Sequence, residues 1–116
     1  MTTRVRSHLD ATWARLLMLK TNTYGPGTDY ERTETKTYAQ LFGASRLLVL
    51  LTVAYLADQG HLQVRVAQVA HLTGLSDSSA RQALTRLVSS QWLRLTGSNP
   101  QQYSLTTIMT IEGTTP

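Results

Sequence analysis

Ser78, Ser79, Arg81, Gln82, Thr85 and Arg86 are the side chains of this 116-residue chain whose types and spacing point most directly to chemistry. At helical spacing they fall together on the face opposite an apolar stripe of Ala80, Ala83, Leu84, Leu87 and Val88. Short hydroxyl residues at the start of a helix let its backbone come close to a partner. Arg and Gln have the reach and donor pattern to pair with base edges, Arg bidentately with guanine and Gln with adenine. Arg81 and Gln82 are therefore the candidate base readers. Ser78, Ser79 and Thr85 suit phosphate or water-mediated contacts, and Arg86, a turn later, suits the nucleic-acid backbone. An ordinary solvated face would also be made of Arg, Gln and Ser, so the surrounding elements decide between the two.

Composition favours an anionic partner and excludes much else. Lys+Arg number 11 against 7 Asp+Glu, a net charge of +4 and an isoelectric point near 9.9. All but Lys20 and Lys36 of those cations are Arg, whose planar fork suits phosphates and guanine edges. The length implies one domain, and 41% hydrophobic residues can furnish one core. The absence of Cys excludes disulfides, thiolate metal sites and a Cys nucleophile together. His8, His61 and His71 have neither ligand spacing nor a carboxylate cluster beside them, so no metal or other cofactor is expected. Paired carboxylates, a Ser/His/Asp order, a phosphate-binding Gly loop and a dinucleotide fingerprint are all lacking, and no enzyme is expected. The most apolar run, Leu47 to Ala57, is far short of the roughly 20 residues of a membrane span, and Met1 to Lys20 lacks the apolar core of a secretory signal. The expected location is cytoplasmic and nucleoid-associated, with no membrane partner.

Six segments would position the candidate face. Val5, Leu9, Trp13, Leu16 and Leu17 recur at three- and four-residue spacing and predict an amphipathic helix from Val5 to Leu19. Thr21 to Thr37 holds the Gly25-Pro26-Gly27 breaker and sustains neither period, so 21–37 is expected to be a linker. Tyr38 to Gln59 is predicted to be a core helix, too apolar all round for a surface, with Gly43 at its start or at a kink, Ser45 as N-cap and Gly60 as C-cap. His61 to Arg65 alternates like a very short strand. Val66 to Leu72, with Val66, Val69, Ala70 and Leu72 inward, and the helix running from Ser76 to Ser90 are joined by a Gly74-containing turn, with Ser76 as N-cap and Asp77 at the positive helix end. Trp92 to Thr96 and Gln102 to Thr106 flank the polar cluster Gly97 to Gln101 and predict a β-hairpin, which Thr107 to Pro116 can extend before fraying.

The order core helix, short strand, helix, turn, helix, hairpin resembles a winged helix-turn-helix domain over Leu41 to Thr106. Leu41-Phe42-Gly43-Ala44-Ser45-Arg46-Leu47-Leu48-Val49-Leu50-Leu51 looks like the first core helix of arsenic-repressor-like regulators. Val69-Ala70-His71-Leu72-Thr73-Gly74-Leu75-Ser76 with Ala80, Leu84 and Leu87 looks like their helix-turn-helix, and Leu105-Thr106 resembles the end of the wing in multiple-antibiotic-resistance-type regulators. Gln91 stands where such families place the Gly that ends the recognition helix, so that turn needs another cap or a strained backbone. The hairpin tip also carries no Arg or Lys.

The resemblance implies a mainly α, α+β domain with a small β-hairpin and an extra N-terminal helix: residues 1–20 the helix, 21–37 the linker, 38–112 the winged helix-turn-helix domain, 113–116 the tail. It implies double-stranded DNA as partner, read in the major groove by helix 76–90 of a dimeric transcriptional repressor. Arg65, Gln68 and Arg94 would then stand near phosphates, with Ser98, Asn99 and Gln101 as weak neutral donors at the wing. Helix 1–20 is read as a packing or dimerisation element; in a homodimer Val5, Leu9, Trp13 and Leu16 would form the interface, since a domain closed by Leu41 to Thr106 does not require their stripe. Two rivals are a plasmid partition, transfer or architectural accessory factor, and a winged helix used for protein interaction through Trp92 and the tyrosine-rich linker.

Overall fold

The computed structural model describes residues 7–23, 33–98 and 100–106, a mixed α+β structure with two small antiparallel sheets. Helix α1 (His8–Leu16) starts at Ser7, whose hydroxyl accepts from the Asp10 N–H at 2.9 Å. The His8 and Leu9 amides donate to the Asp58 carboxylate at 2.6 and 3.0 Å, so an acid 50 residues downstream sits at the positive end of this helix. Leu16 is fully buried in the core and Leu9 packs against it. One expectation is thereby corrected: the helix stops at Leu16, short of Leu19. Of the apolar stripe, Leu16 is fully buried within the chain and Leu9 is half-buried. Trp13 is 42% exposed, and Val5 lies outside the described residues.

Leu17 closes α1, and the chain turns at Met18 into β1 (Leu19–Thr23), which pairs antiparallel with β2 (Thr33–Thr37). Both ends of the expected linker are thus a hairpin, with Leu19 opposite Thr37 and Thr23 opposite Thr33. Threonine's preference for extended backbone and the ladder itself hold these strands, so no apolar alternation advertises them. The Gly25-Pro26-Gly27 breaker lies outside the described residues.

Thr37 then caps α2 (Tyr38–Phe42) with a reciprocal box: the Gln40 N–H donates to Thr37 Oγ1 at 3.1 Å and the Thr37 N–H to Gln40 Oε1 at 2.9 Å. Gly43, at φ +85°, divides what the periodicity predicts as a single helix, and α3 (Ala44–Asp58) follows with Ser45 already inside it instead of capping it. Helix α3 buries Val49, Leu50, Val53, Ala54, Leu56 and Ala57. It ends in a Schellman motif at Gly60, φ +96°, with the Gly60 N–H on the Ala57 carbonyl at 3.0 Å and the His61 N–H on that of Leu56 at 2.8 Å. Burial is not complete all round, as Leu48 and Tyr55 are 44% and 49% exposed.

The remaining elements are β3 (Val64–Arg65), α4 (Val66–Thr73), α5 (Asp77–Ser89), β4 (Leu93–Ser98) and β5 (Gln101–Leu105). The strands form a sheet in the order β3-β5-β4, which places Tyr103 between Val64 and Leu95 and Leu105 opposite Leu93. Helix α3 packs on α1, α4 and α5, and the core lies between these helices and the inner face of the sheet. Leu72, expected inward, is 52% exposed, while Val66, Val69 and Ala70 are buried as their spacing predicts. Residues 107–116 lie outside the described set.

Candidate nucleic-acid interface

Two helix-turn devices aim α5. Gly74, left-handed at φ +79°, closes α4 with its N–H on the Ala70 carbonyl at 2.9 Å. The Thr73 hydroxyl donates to the Val69 carbonyl at 2.8 Å and accepts from the Leu75 N–H at 3.2 Å, fixing the turn from both sides. Ser76 then caps α5, its Oγ accepting from the Ser79 N–H at 3.0 Å, and Asp77 lies in the first turn. Ala80, Ala83, Leu84 and Leu87 are buried, so the opposite face is fixed outward.

All six candidate side chains of α5 are exposed. They form two rows. Ser79, Gln82 and Arg86 line one wall of a hollow of about 310 Å³ whose other wall is the α2–α3 junction with Arg46. Ser78, Arg81 and Thr85, at the same spacing, form the neighbouring row. Arg81 is therefore the outward cation, and Arg86 the one that stands beside the body of the protein near Arg46.

The remaining candidates are less alike. Arg65 is exposed at the start of α4, whereas Gln68 is half-buried and its Oε1 accepts from the Arg65 N–H at 3.4 Å, so its carbonyl end serves the helix terminus. Arg94 is exposed on β4 and donates through Nη2 to the Thr106 carbonyl at 3.2 Å. Gln101 Oε1 accepts from the Tyr103 hydroxyl at 3.0 Å. Ser98 ends β4 and Asn99 lies outside the described residues. The hairpin is shaped by an irregularity between Leu95 and Gly97, where the Thr96 hydroxyl donates to the Gln102 carbonyl at 3.2 Å.

Sequence reasoning passes over Arg15, Lys20 and Arg46. They line a second hollow of about 360 Å³ together with Tyr38, Leu41, Phe42, Ser90, Gln91 and Trp92. The Arg15 guanidinium lies 3.9 Å from the centre of the Trp92 ring, and Arg46 lies 4.8 Å from that of Phe42. The three rings meet edge to face, Phe42 and Trp92 at 5.2 Å, Tyr38 and Trp92 at 5.4 Å. Arg15 lies on a helix that reads as a packing element and Lys20 at what reads as its end, so no local pattern joins them. The available signal is the aromatic spacing Tyr38, Phe42 with Arg46 one turn on.

Elsewhere Leu9, Leu51, Thr52, Tyr55 and Leu72 border an apolar hollow of about 400 Å³. No helix among the described residues is long and apolar enough to cross a membrane, and no group of three His, Asp or Glu among them could hold a metal. No protein family, curated protein or solved structure matches the chain.

Proposed function

We propose that the chain is a winged helix-turn-helix protein that binds double-stranded DNA in a sequence-dependent way, with α5 in the major groove, and acts as a dimeric transcriptional repressor. The observation that carries this reading is the exposed double row Ser78, Ser79, Arg81, Gln82, Thr85 and Arg86 on a helix held rigidly by its buried stripe, with Asp77 in the first turn as the one carboxylate of the helix. A rigid narrow helix with short residues at its start and Arg and Gln behind them is what major-groove reading requires. The net charge of +4 supplies the long-range attraction to an anionic polymer. The absence of cations from residues 97–101 removes the usual means of minor-groove reading at the hairpin tip.

The dimer in this reading engages the apolar surface around Leu9, Leu51, Tyr55 and Leu72, since Leu16 is buried within one chain. Sedimentation of Tyr55→Glu beside the unaltered chain tests this part: a dimer insensitive to the substitution places the contact elsewhere.

The DNA reading is tested by selecting duplexes from a random pool and comparing affinity for a selected and a scrambled duplex at one salt concentration. Arg81→Ala and Gln82→Ala should each cost about 1–3 kcal/mol on the selected duplex and lower the ratio between the two, while Arg94→Ala weakens both duplexes alike. Phosphates are the same at every step and base edges are not, so only the removal of a base reader changes the ratio. If the pool yields no preferred sequence, or the ratio survives both α5 substitutions, α5 does not read a groove.

A further inference from the structure

The hollow between α1, α2 and the C-terminal end of α5 has no role in groove reading by α5, yet it is a built site. Its lining contains three cations, Arg15, Lys20 and Arg46, and no carboxylate among the described residues. Beneath them Phe42 and Trp92 are 9% and 5% exposed. Each of these two rings has a guanidinium over it. A ring beneath a guanidinium holds it in place without neutralising it and leaves N–H groups to receive the oxygens of a phosphate. Because the two ring faces are covered and the rings are packed edge to face, little flat aromatic surface is left for a base to stack on. The ligand chemistry is therefore that of a phosphate oxyanion, not of an unpaired base.

Position decides where that phosphate comes from. Arg46 and Phe42 line this hollow and also the one beside Ser79, Gln82 and Arg86, so the two recesses share a wall. A line of cations thus runs from Arg86 on α5 over Arg46 to Arg15 and to Lys20 at the foot of β1–β2. We infer that this hollow clasps the sugar-phosphate backbone of the same duplex whose groove α5 enters, extending the contact beyond α5 to the root of the β1–β2 hairpin. The inference rests on the DNA-binding reading given above. It adds an anchor that is blind to sequence, because backbone phosphates carry none.

The experiment measures duplex affinity against salt for the full chain and for Arg46→Gln, Lys20→Gln and Arg15→Gln. Each phosphate released from the clasp should flatten the log-log slope by about 0.9, with the ratio of selected to scrambled duplex unchanged. Lys20→Gln keeps the test valid if removal of a stacked Arg disturbs the fold, since no ring lies against Lys20 among the described residues, and Arg46→Lys should restore most of the slope. Titration with inorganic phosphate, followed by Trp92 fluorescence in a Trp13→Phe background, separates the two sources of the oxyanion. Saturable quenching by free phosphate, with an unaltered duplex slope in Arg46→Gln and Lys20→Gln, would assign the hollow to a small phosphorylated ligand and overturn the inference. Slopes unchanged in every variant, with no response to phosphate, overturn it as well. A full chain that binds no duplex removes the reading of α5 itself, whereas binding with unaltered slopes removes this anchor alone.

Discussion

The β4–β5 hairpin buries Leu93, Tyr103 and Leu105 and is flanked by β3, whereas β1–β2 is a two-stranded ladder with Leu19 67% exposed and Lys20 opposite Lys36 in the register. The backbone pairing is of the same antiparallel kind in both. The first is held by its side chains, since β5 is the central strand and its inner residues meet the helices. The second is held at its root, where the Tyr38 N–H donates to the Met18 carbonyl at 3.2 Å and α1 and α2 meet the core through Leu16 and Phe42. An isolated two-stranded hairpin is marginal in water, so such a ladder persists because both of its ends are tied to packed helices.

The largest expected effect separates the two modes of attachment. Leu93 is 1% exposed, and Leu93→Ala removes buried methyl groups from a site walled by α5 and β5, which should cost about 2–5 kcal/mol in chemical denaturation. Leu16→Ala, at the root of β1–β2, should cost a comparable amount, because Leu16 is fully buried although its helix lies at the edge of the structure. A loss below about 1 kcal/mol at Leu16 would show that α1 is dispensable to the core and would reopen a dimer role for its stripe.

The same contrast governs what is legible in the sequence. Trp92 to Thr96 and Gln102 to Thr106 carry β-branched or large residues around a Gly-Ser-Asn-Pro turn, so burial writes a pattern into β4–β5 that the structure matches within about a residue or two at each end. The pairing of Leu19–Thr23 with Thr33–Thr37 cannot be seen in that way, because threonine at every second position satisfies a strand without any apolar alternation, and Leu19 reads as the end of the preceding helix. The stripe of α5 is legible for the same reason as β4–β5. The split at Gly43 is only half legible: a glycine signals a break, but whether the chain kinks or restarts depends on the backbone that Gly43 adopts, here φ +85° and ψ 168°, which takes the chain out of the helix. Of the cation hollow only the spacing Tyr38, Phe42 and Arg46 is legible, since Arg15 and Lys20 reach it from α1 and β1 through tertiary packing.

A smaller effect is expected where α5 hands the chain to β4. Gln91 has φ +68°, with its N–H on the Val88 carbonyl at 3.0 Å and the Trp92 N–H on that of Leu87 at 2.9 Å. This is the Schellman geometry that glycine adopts most readily, and a side chain there is strained by roughly 1–2 kcal/mol. Trp92, seated among Tyr38 and Phe42, holds the turn in place despite that strain. Gln91→Gly should therefore raise stability by up to about 1 kcal/mol, part of the relief being offset by the freedom glycine gains in the unfolded chain. A melting temperature that falls would mean that the Gln91 side chain contributes more at the rim of the cation hollow than its backbone costs.

The smallest effect should come from the ladder that has no core. Thr35 is exposed in the middle of β2, and Thr35→Ala removes little beyond threonine's preference for extended backbone. A change of about 0.5 kcal/mol or less is expected, against several at Leu93. Stability alone understates the difference, since a hairpin tied at its root can open while the remainder stays folded. Amide exchange reads that directly: amides of Leu19–Thr23 that are paired in the ladder should exchange through local opening, well before those of Tyr103 and Leu105, whose release requires the sheet to leave the core. Added duplex DNA should slow the first group if its backbone lies against Lys20, and should leave the second at its global limit. Equal protection of both hairpins in the free protein would mean that β1–β2 is held by more than its ladder and its root.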